Sequence, residues 1–256
     1  MSFLGVYGIG IGVGALSTCL LLIMQLFVRP SIFFGGAVLW LLVLFALHAF
    51  LARTIGRGRD LFFLSLATAL SILGLTTLIE WQALQWFLAL MGGAALGVIY
   101  LPGAGMPTAP HVQKIFRRFF TMLWVFDTYA LLTFLFAMNL FFPSVRFWTL
   151  DIGIGFLASG SAFMIWRLYY VLPVRRGILW IILLTLLMVE LGWVMQVLPF
   201  GYLASGLLLT WLWYILQLLV RFHFAPQDIL WRRQWKFLTA NAVLYFITLV
   251  FFVRWV

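Results

Sequence analysis

Residues Ile178–Lys236 read ILWIILLTLLMVELGWVMQVLPFGYLASGLLLTWLWYILQLLVRFHFAPQDILWRRQWK. The stretch opens with an apolar run that carries one acid, Glu190, turns at Pro199-Phe200-Gly201 and returns through a second apolar run. It ends in a basic segment that begins at Arg221. Because a membrane-spanning helix needs roughly 20 apolar residues, this pattern predicts two spans that are joined outside the cell and anchored inside it by positive charge.

The composition extends this interpretation to the whole chain. Of 256 residues, 66% are hydrophobic and 9% are charged, which is more apolar surface than a water-soluble core requires. The net charge of +10 comes from short basic clusters between long apolar runs, so it does not indicate a nucleic-acid-binding face. We therefore expect the lipid bilayer as the principal partner and no nucleic acid. The single cysteine, Cys19, excludes a disulfide within the chain.

The same alternation of apolar runs and polar connections predicts nine transmembrane helices. The expected fold class is an all-α, polytopic integral membrane bundle that forms a single domain over residues 1–256. Span 83–101 has the least certain start, because it follows the polar stretch Glu80-Trp81-Gln82. The predicted spans are residues 6–28, 31–51, 61–79, 83–101, 119–142, 147–169, 178–198, 201–220 and 237–254.

The basic residues predict the orientation of these spans. With the N-terminus in the cytoplasm, thirteen of the sixteen lysines and arginines fall on cytoplasmic connections, and only Arg29, Arg146 and Arg254 fall outside. This distribution follows the positive-inside rule, so the C-terminus is expected outside the plasma membrane.

Glycine motifs predict where helices approach each other closely. The first span contains Gly8, Gly10, Gly12 and Gly14, which form two overlapping G-x-x-x-G motifs, and the fourth span repeats the motif with Gly93 and Gly97. Small residues let helix backbones pack in lipid, where no hydrophobic force drives helices together. We expect these helices to contact one another or a partner subunit.

No motif for catalysis, cofactor binding or metal binding outweighs its structural alternative. The sequence from Gly10 to Ala15 fits a loose dinucleotide fingerprint, but it lies inside an apolar span and lacks the strand and turn that the chemistry needs. The sequence around Ser159 is similar to the serine motif of intramembrane proteases, but it lacks a nearby histidine to act as the base. His48, His111 and His223 lack metal-ligand spacing. We therefore predict no catalytic residue, cofactor or metal site.

Two acids stand within apolar runs and are the candidate functional residues. At a rise of about 1.5 Å per residue, Asp127 lies roughly 12 Å and Glu190 roughly 18 Å from the cytoplasmic surface. A charge near the middle of the bilayer costs about 2.5–3.5 kcal/mol on insertion scales. Asp127 and Glu190 are therefore expected to line a polar pathway for a proton, a cation or a lipid headgroup, which Trp193 and Gln196 extend outward. The alternative is that both acids are protonated and hydrogen-bonded to neighbouring helices as structural contacts.

One resemblance adds to this interpretation. The pattern Glu190-Leu-Gly-Trp193, Leu198-Pro199-Phe200 and Tyr214, followed by a basic connection, resembles an uncharacterised bacterial family of multi-spanning membrane proteins. The resemblance covers mainly the last third of the chain. It implies a prokaryotic plasma membrane and no known reaction.

Three classes of function stay open at this point. A non-catalytic membrane subunit or scaffold, bound to another membrane protein or to copies of itself, is favoured by short connections and glycine faces. A small transporter or channel-like protein is favoured by the acids Asp127 and Glu190. An integral lipid-modifying enzyme is the third class, although the clustered polar residues that such enzymes need at one membrane face are missing from the sequence pattern.

Overall fold

The computed structural model describes residues 3–26, 30–55, 59–101, 110–170, 174–224 and 231–252. Within these ranges the chain forms nine α-helices, and each is long and apolar enough to cross a membrane. The predicted class of a polytopic helical membrane protein with nine spans is thus confirmed. The helices are α1 Phe3–Leu26, α2 Pro30–Ile55, α3 Arg59–Leu78, α4 Gln82–Ile99, α5 Pro110–Phe141, α6 Phe147–Tyr169, α7 Val174–Val197, α8 Tyr202–His223 and α9 Trp231–Ile247, which a π-helical turn, Thr248–Phe252, extends.

Several helices extend beyond the predicted spans into stretches that were expected to be polar connections. Helix α5 starts at Pro110, nine residues before the predicted span, because proline is well suited to the first position of a helix. Basic residues expected on connections therefore lie on helices, such as Lys114 in α5 and Arg221 in the last turn of α8. The predicted span ends at residues 27–28 and 253–254, as well as Arg29, Arg57 and Arg254, lie outside the described residues.

The chain divides into two compact units, Met1–Asp127 and Thr128–Val256, and the boundary falls inside α5. The prediction of a single domain stays a prediction. In the first unit, α4 packs against both α1 and α3, and α2 packs against α1 and α3. In the second unit, α6 packs against α7, α7 packs against α8, and α9 contacts α8 at the edge of the unit.

Glycines bring α1 and α4 into backbone contact. An added Cβ atom at Gly14 would lie 3.0 Å from the carbonyl oxygen of Gly93, and one at Gly10 would lie 2.9 Å from the carbonyl oxygen of Gly97. At Gly93, an added Cβ would collide with the Thr18 hydroxyl. Only glycine permits helix axes to come this close.

The other two glycines of α1 that were predicted to pack, Gly8 and Gly12, do not lie in the contact with α4. Added Cβ atoms at Gly8 and Gly12 would meet nothing within 4 Å in the part of the chain that the structure describes. Both residues are exposed, on the side of α1 that faces away from α4. Only one of the two G-x-x-x-G motifs of α1 is therefore used inside the first unit.

Buried tryptophans fill the interior of each unit and donate hydrogen bonds to neighbouring helices. Trp40, Trp166 and Trp213 are all fully buried. In the first unit the Trp40 indole N–H donates to the Ser17 hydroxyl at 3.1 Å. In the second unit the indole N–H of Trp166 donates to the Gln217 carbonyl at 3.1 Å, and that of Trp213 donates to the Ala158 carbonyl at 2.7 Å. Each ring fills the core without leaving a polar atom unbonded.

The short turn between α3 and α4 is closed by one side chain. The Gln85 side-chain amide donates to the carbonyl oxygens of Thr76, in the last turn of α3, at 3.3 Å and of Ile79, directly after that helix, at 2.5 Å. The last carbonyls of a helix have no partner within it. The Gln85 carbonyl in turn accepts a hydrogen bond of 3.0 Å from the Gln25 amide of α1. This residue joins three helices at one end of the first unit.

The glycine contact predicts different outcomes for two neighbouring substitutions in α1. Gly14→Val places a branched side chain against the α4 backbone and should destabilise the protein by roughly 1–3 kcal/mol, the usual cost of overpacking. Gly12→Val adds the same side chain to the same helix at an open position and should leave stability nearly unchanged. Chemical unfolding of the purified protein in mixed micelles measures both, and equal losses for the two variants would contradict the α1–α4 packing.

Candidate functional site

Asp127 lies in the interior of the first unit, at the middle of α5. Its side chain is fully buried. The Thr68 hydroxyl of α3 donates to carboxyl oxygen Oδ2 at 2.9 Å, and the Ser71 hydroxyl donates to the Asp127 backbone carbonyl at 3.3 Å. These bonds join α3 and α5 through polar side chains that are spaced by one helical turn.

The second carboxyl oxygen of Asp127 is also enclosed. Oδ1 is buried and has no hydrogen-bond partner among the described residues. Thr68 also lines an apolar cavity of about 340 Å³ between α3, α4 and α5, whose other walls are aliphatic and aromatic side chains such as Ile72, Phe87 and Met122. The surroundings of Asp127 are therefore a hydrogen-bonded helix contact beside an apolar cavity, and they do not form a polar channel within the first unit.

Glu190 is placed differently from the prediction. Its side chain is exposed on the outer surface of α7, whereas the sequence led us to expect it along a polar pathway. Trp193 lies beside it and is 48% exposed. Between residues 177 and 197, the exposed surface of α7 thus carries one ionisable side chain, Glu190, among apolar ones.

Gln196 does not share this surface with Glu190. Six residues along a helix correspond to a rotation of roughly 120° about the axis, at 3.6 residues per turn. Gln196 is accordingly half-buried and turns toward α5 and α6. The predicted pathway residues Glu190, Trp193 and Gln196 therefore lie on two different faces of α7.

Gln196 belongs to a polar cluster that the sequence interpretation did not identify. Its amide nitrogen donates to Asp151 Oδ1 at 2.8 Å, and its amide oxygen accepts a hydrogen bond of 3.4 Å from the Asn139 amide. Asp151 lies near the start of α6, and its side chain is fully buried. Its second oxygen, Oδ2, is buried without a partner in the described part of the chain.

A glycine makes room for this cluster. Gly192 lies one turn before Gln196 on α7, and a Cβ atom there would lie 3.3 Å from Asp151 Oδ1 and 3.2 Å from the Ile154 side chain. The stretch Asp151 to Gly155 also packs closely on α7, because an added Cβ at Gly155 would lie 2.9 Å from the Thr185 carbonyl. The close α6–α7 contact holds Asp151 within reach of Gln196.

The only sequence signal for the cluster was the coincidence of three polar residues near the same ends of their helices. Asn139 is the third-last residue of α5, Gln196 is the second-last residue of α7, and Asp151 is the fifth residue of α6. Because α5 and α6 are joined by a short turn and α6 and α7 are antiparallel neighbours, these ends meet at one side of the membrane.

The Asp127 contact predicts an energetic coupling that can be measured. Thr68→Val and Asp127→Leu each remove one side of the hydrogen bond, so a double-mutant cycle should give a coupling of about 0.5–1.7 kcal/mol, the range for such bonds in membrane proteins. Thr77→Val is the control, because the Thr77 hydroxyl bonds within its own helix to Gly74 at 2.7 Å. Denaturant unfolding measures the free energies. An equal coupling energy of Asp127→Leu with Thr68→Val and with Thr77→Val would contradict the contact.

Comparison with known protein families, with curated proteins and with solved structures finds no match to this chain. The resemblance over Glu190–Tyr214 stays an expectation from the sequence. The geometry of Asp127, of the Asn139–Gln196–Asp151 cluster and of the outer face of α7 is the basis for the functional proposals that follow.

Proposed function

We propose that this protein is a non-catalytic subunit of a membrane assembly, and that it binds a transmembrane helix of another protein through the outer face of α7. The observation that carries the proposal is the exposure of Glu190 within an apolar span. An ionisable side chain that faces lipid near mid-depth costs about 2.5–3.5 kcal/mol when charged, and a covering helix with a hydrogen-bond donor removes much of that cost.

The pattern around Glu190 is that of a helix-packing surface. Six of the exposed residues of α7 recur at alternating intervals of four and three, which is the spacing of a heptad seam with one polar position. A polar residue at one seam position fixes register and partner choice. We call this surface the α7 seam, and it consists of Leu179, Leu183, Leu186, Glu190, Trp193 and Val197.

A second exposed surface supports assembly independently. Gly8, Gly12, Ala15 and Cys19 are all exposed and recur at intervals of four, three and four along α1. This is the small-residue face that α4 does not cover, and it would let another helix approach the α1 backbone.

The partner is expected to be a different protein with a basic side chain at the depth of Glu190. Lys236 and Lys114 lie close to helix ends, in α9 and α5 respectively, and neither stands at comparable depth in its span. Two copies of the seam would bring two acids together, which is unfavourable when they are charged. Charge complementarity therefore favours a hetero-assembly over a homo-oligomer.

The transporter hypothesis based on Asp127 and Glu190 loses its support from geometry. Asp127 bonds to Thr68 in the interior of its unit, and Glu190 faces outward from α7. Neither residue lines a polar cavity with the other described side chains of its own unit. We do not carry this hypothesis further on these residues.

Photo-crosslinking tests the α7 seam directly. A photoreactive amino acid at Leu186 or at Val197 should crosslink to a second protein in native membranes, and Glu190→Leu should reduce that crosslink at least severalfold. Glu190→Gln keeps a hydrogen-bonding side chain and should retain more crosslink than Glu190→Leu. Leu207, which is exposed on α8 outside the seam, is the control position and should give only lipid adducts.

Each outcome of this experiment is informative. A crosslinked species with the mass of two copies of this chain would replace the hetero-assembly with a homo-oligomer. Lipid adducts alone at Leu186 and Val197, or a protein crosslink that persists unchanged in Glu190→Leu, would overturn the seam as a binding surface.

We further propose that the protein lies in a prokaryotic plasma membrane with its N-terminus in the cytoplasm and its C-terminus outside. The distribution of basic residues supports this orientation, and the resemblance over the last third supports the location. The orientation places the turn between α5 and α6 outside and the start of α5 inside.

Cysteine labelling checks the orientation. In a Cys19→Ser background, Ser144→Cys should react with a membrane-impermeant maleimide in intact cells, because Ser144 lies in the turn between α5 and α6. Lys114→Cys, near the start of α5, should react only after permeabilisation. The reverse pattern would invert the proposed orientation.

A further inference from the structure

A cavity of about 250 Å³ lies in the second unit, where α5 and α7 end and α8 begins. At roughly 30 Å³ for each water molecule, it has room for about eight non-hydrogen atoms. Unlike the apolar cavity of the first unit, it combines polar side chains with aromatic and aliphatic walls. The side chains that matter for its chemistry are Asn139, Gln196, Tyr202, Ser205, Phe136 and Phe200.

A chain of hydrogen bonds connects this cavity to a buried acid. Asn139 and Gln196 line the cavity, and the Asn139 amide donates to the Gln196 amide oxygen at 3.4 Å. The Gln196 amide nitrogen then donates to Asp151 Oδ1 at 2.8 Å. Asp151 is fully buried, and its Oδ2 atom has no partner among the described residues. The cluster is thus built into the helix packing and stands directly behind the cavity wall.

The polar groups around the cavity favour a cation. The side chains of Asn139, Gln196, Tyr202 and Ser205 all offer oxygen acceptors, and no basic side chain is among the residues that line the cavity. An ionised Asp151 would add a negative charge behind the cavity wall, where its Oδ2 atom has no hydrogen-bond partner among the described residues. The rings of Phe136, Phe200 and Tyr202 add faces that attract a positive charge.

The same features exclude other ligand classes. An anion would meet acceptors and a carboxyl group without any basic partner. A purely apolar ligand would leave the remaining hydrogen-bonding capacity of Asn139 and Gln196 at the cavity wall without partners, which costs free energy. A bare metal ion would leave the aromatic walls unused, and its carboxylate ligand would stand behind Gln196. A small organic cation with hydrogen-bond donors and an apolar body satisfies both halves of the lining.

We infer that this cavity binds a small primary organic ammonium ion, which donates hydrogen bonds to Asn139, Gln196 and Ser205 and places its apolar part against Phe136 and Phe200. Asp151 acts through Gln196 as the charge that favours the ammonium group. Under the proposed orientation the cavity lies at the outer ends of α5 and α7. This site is separate from the α7 seam, so either assignment can fail while the other stands.

Benzylammonium and benzyl alcohol are suitable probes because both have eight non-hydrogen atoms and only benzylammonium is charged at pH 7. Radiolabelled benzylammonium should bind saturably to the full chain in nanodiscs, at one site for each chain, and benzyl alcohol should compete at least about tenfold more weakly. The preference follows from the Coulomb interaction with Asp151, which is strong in a partly buried site.

Three variants test the assignment. Asp151→Asn should lower the affinity for benzylammonium at least about tenfold, whereas Asp127→Asn changes a buried acid in the other unit and should leave it unchanged. Gln196→Glu puts a carboxyl group on the cavity wall next to Asp151, so the two acids share one proton and the remaining negative charge moves to the cavity wall. The affinity should therefore rise severalfold, an outcome that misfolding cannot produce. Thermal unfolding confirms that each variant is folded.

Four results would overturn the site. They are the absence of saturable binding above empty nanodiscs, equal competition by benzyl alcohol, an unchanged affinity in folded Asp151→Asn, and an affinity in Gln196→Glu no higher than in the wild type.

Discussion

The lipid interior offers no hydrogen-bond partners, and this constraint governs where polar side chains stand in the structure. A polar group in a span must bond to another part of the protein, point into a cavity or be covered by a partner. Trp40, Trp166 and Trp213 satisfy the constraint through bonds to Ser17, the Gln217 carbonyl and the Ala158 carbonyl. Asp127 satisfies it in part through Thr68. Glu190 does not satisfy it among the described residues, because its side chain is exposed on an apolar helix face, and the proposed assembly follows from that exposure.

Close helix contacts make these polar bonds possible. In the second unit, Gly155 and Gly192 let α6 and α7 approach until the Asp151 carboxyl reaches Gln196. In the first unit, Gly10 and Gly14 meet Gly97 and Gly93 across α1 and α4. Glycine at these positions therefore determines which polar side chains can meet, in addition to its effect on packing. The exposed glycines of α1, Gly8 and Gly12, are the places where the same geometry is still open to another helix.

The number of helices could be predicted from the sequence because length and hydropathy are sufficient for it. Each apolar run is long enough to span a bilayer, and prolines such as Pro143 and Pro199 mark the turns. The first position of α5 was predicted nine residues late because Lys114, Arg117 and Arg118 interrupt hydrophobicity without interrupting the helix. Charges near a helix end report the membrane boundary and not the end of the helix.

The direction in which each side chain points could not be predicted in the same way. In a soluble protein, the period of apolar residues distinguishes the inner face of a helix from the outer one. In α7 both faces are apolar, because one faces protein and the other faces lipid. The sequence pattern therefore could not show that Glu190 and Gln196 lie on different faces of the helix. The burial of Asp151 gave no sequence signal either, since depth along the helix says nothing about burial. The glycine at position 192 is the one local sign of a close contact there, and it becomes meaningful only once α6 is known to be its neighbour.

The central claim is that Glu190 is covered by another protein in the native membrane. The most direct measurement is the mass of the particle that a lipid-preserving polymer releases from native membranes without detergent, for the wild type and for Glu190→Leu. We predict that the wild-type particle contains a stoichiometric second protein in addition to the 29.4 kDa chain, and that the Glu190→Leu particle contains the chain without it. A wild-type particle that holds one copy of this chain and only lipid would contradict the account.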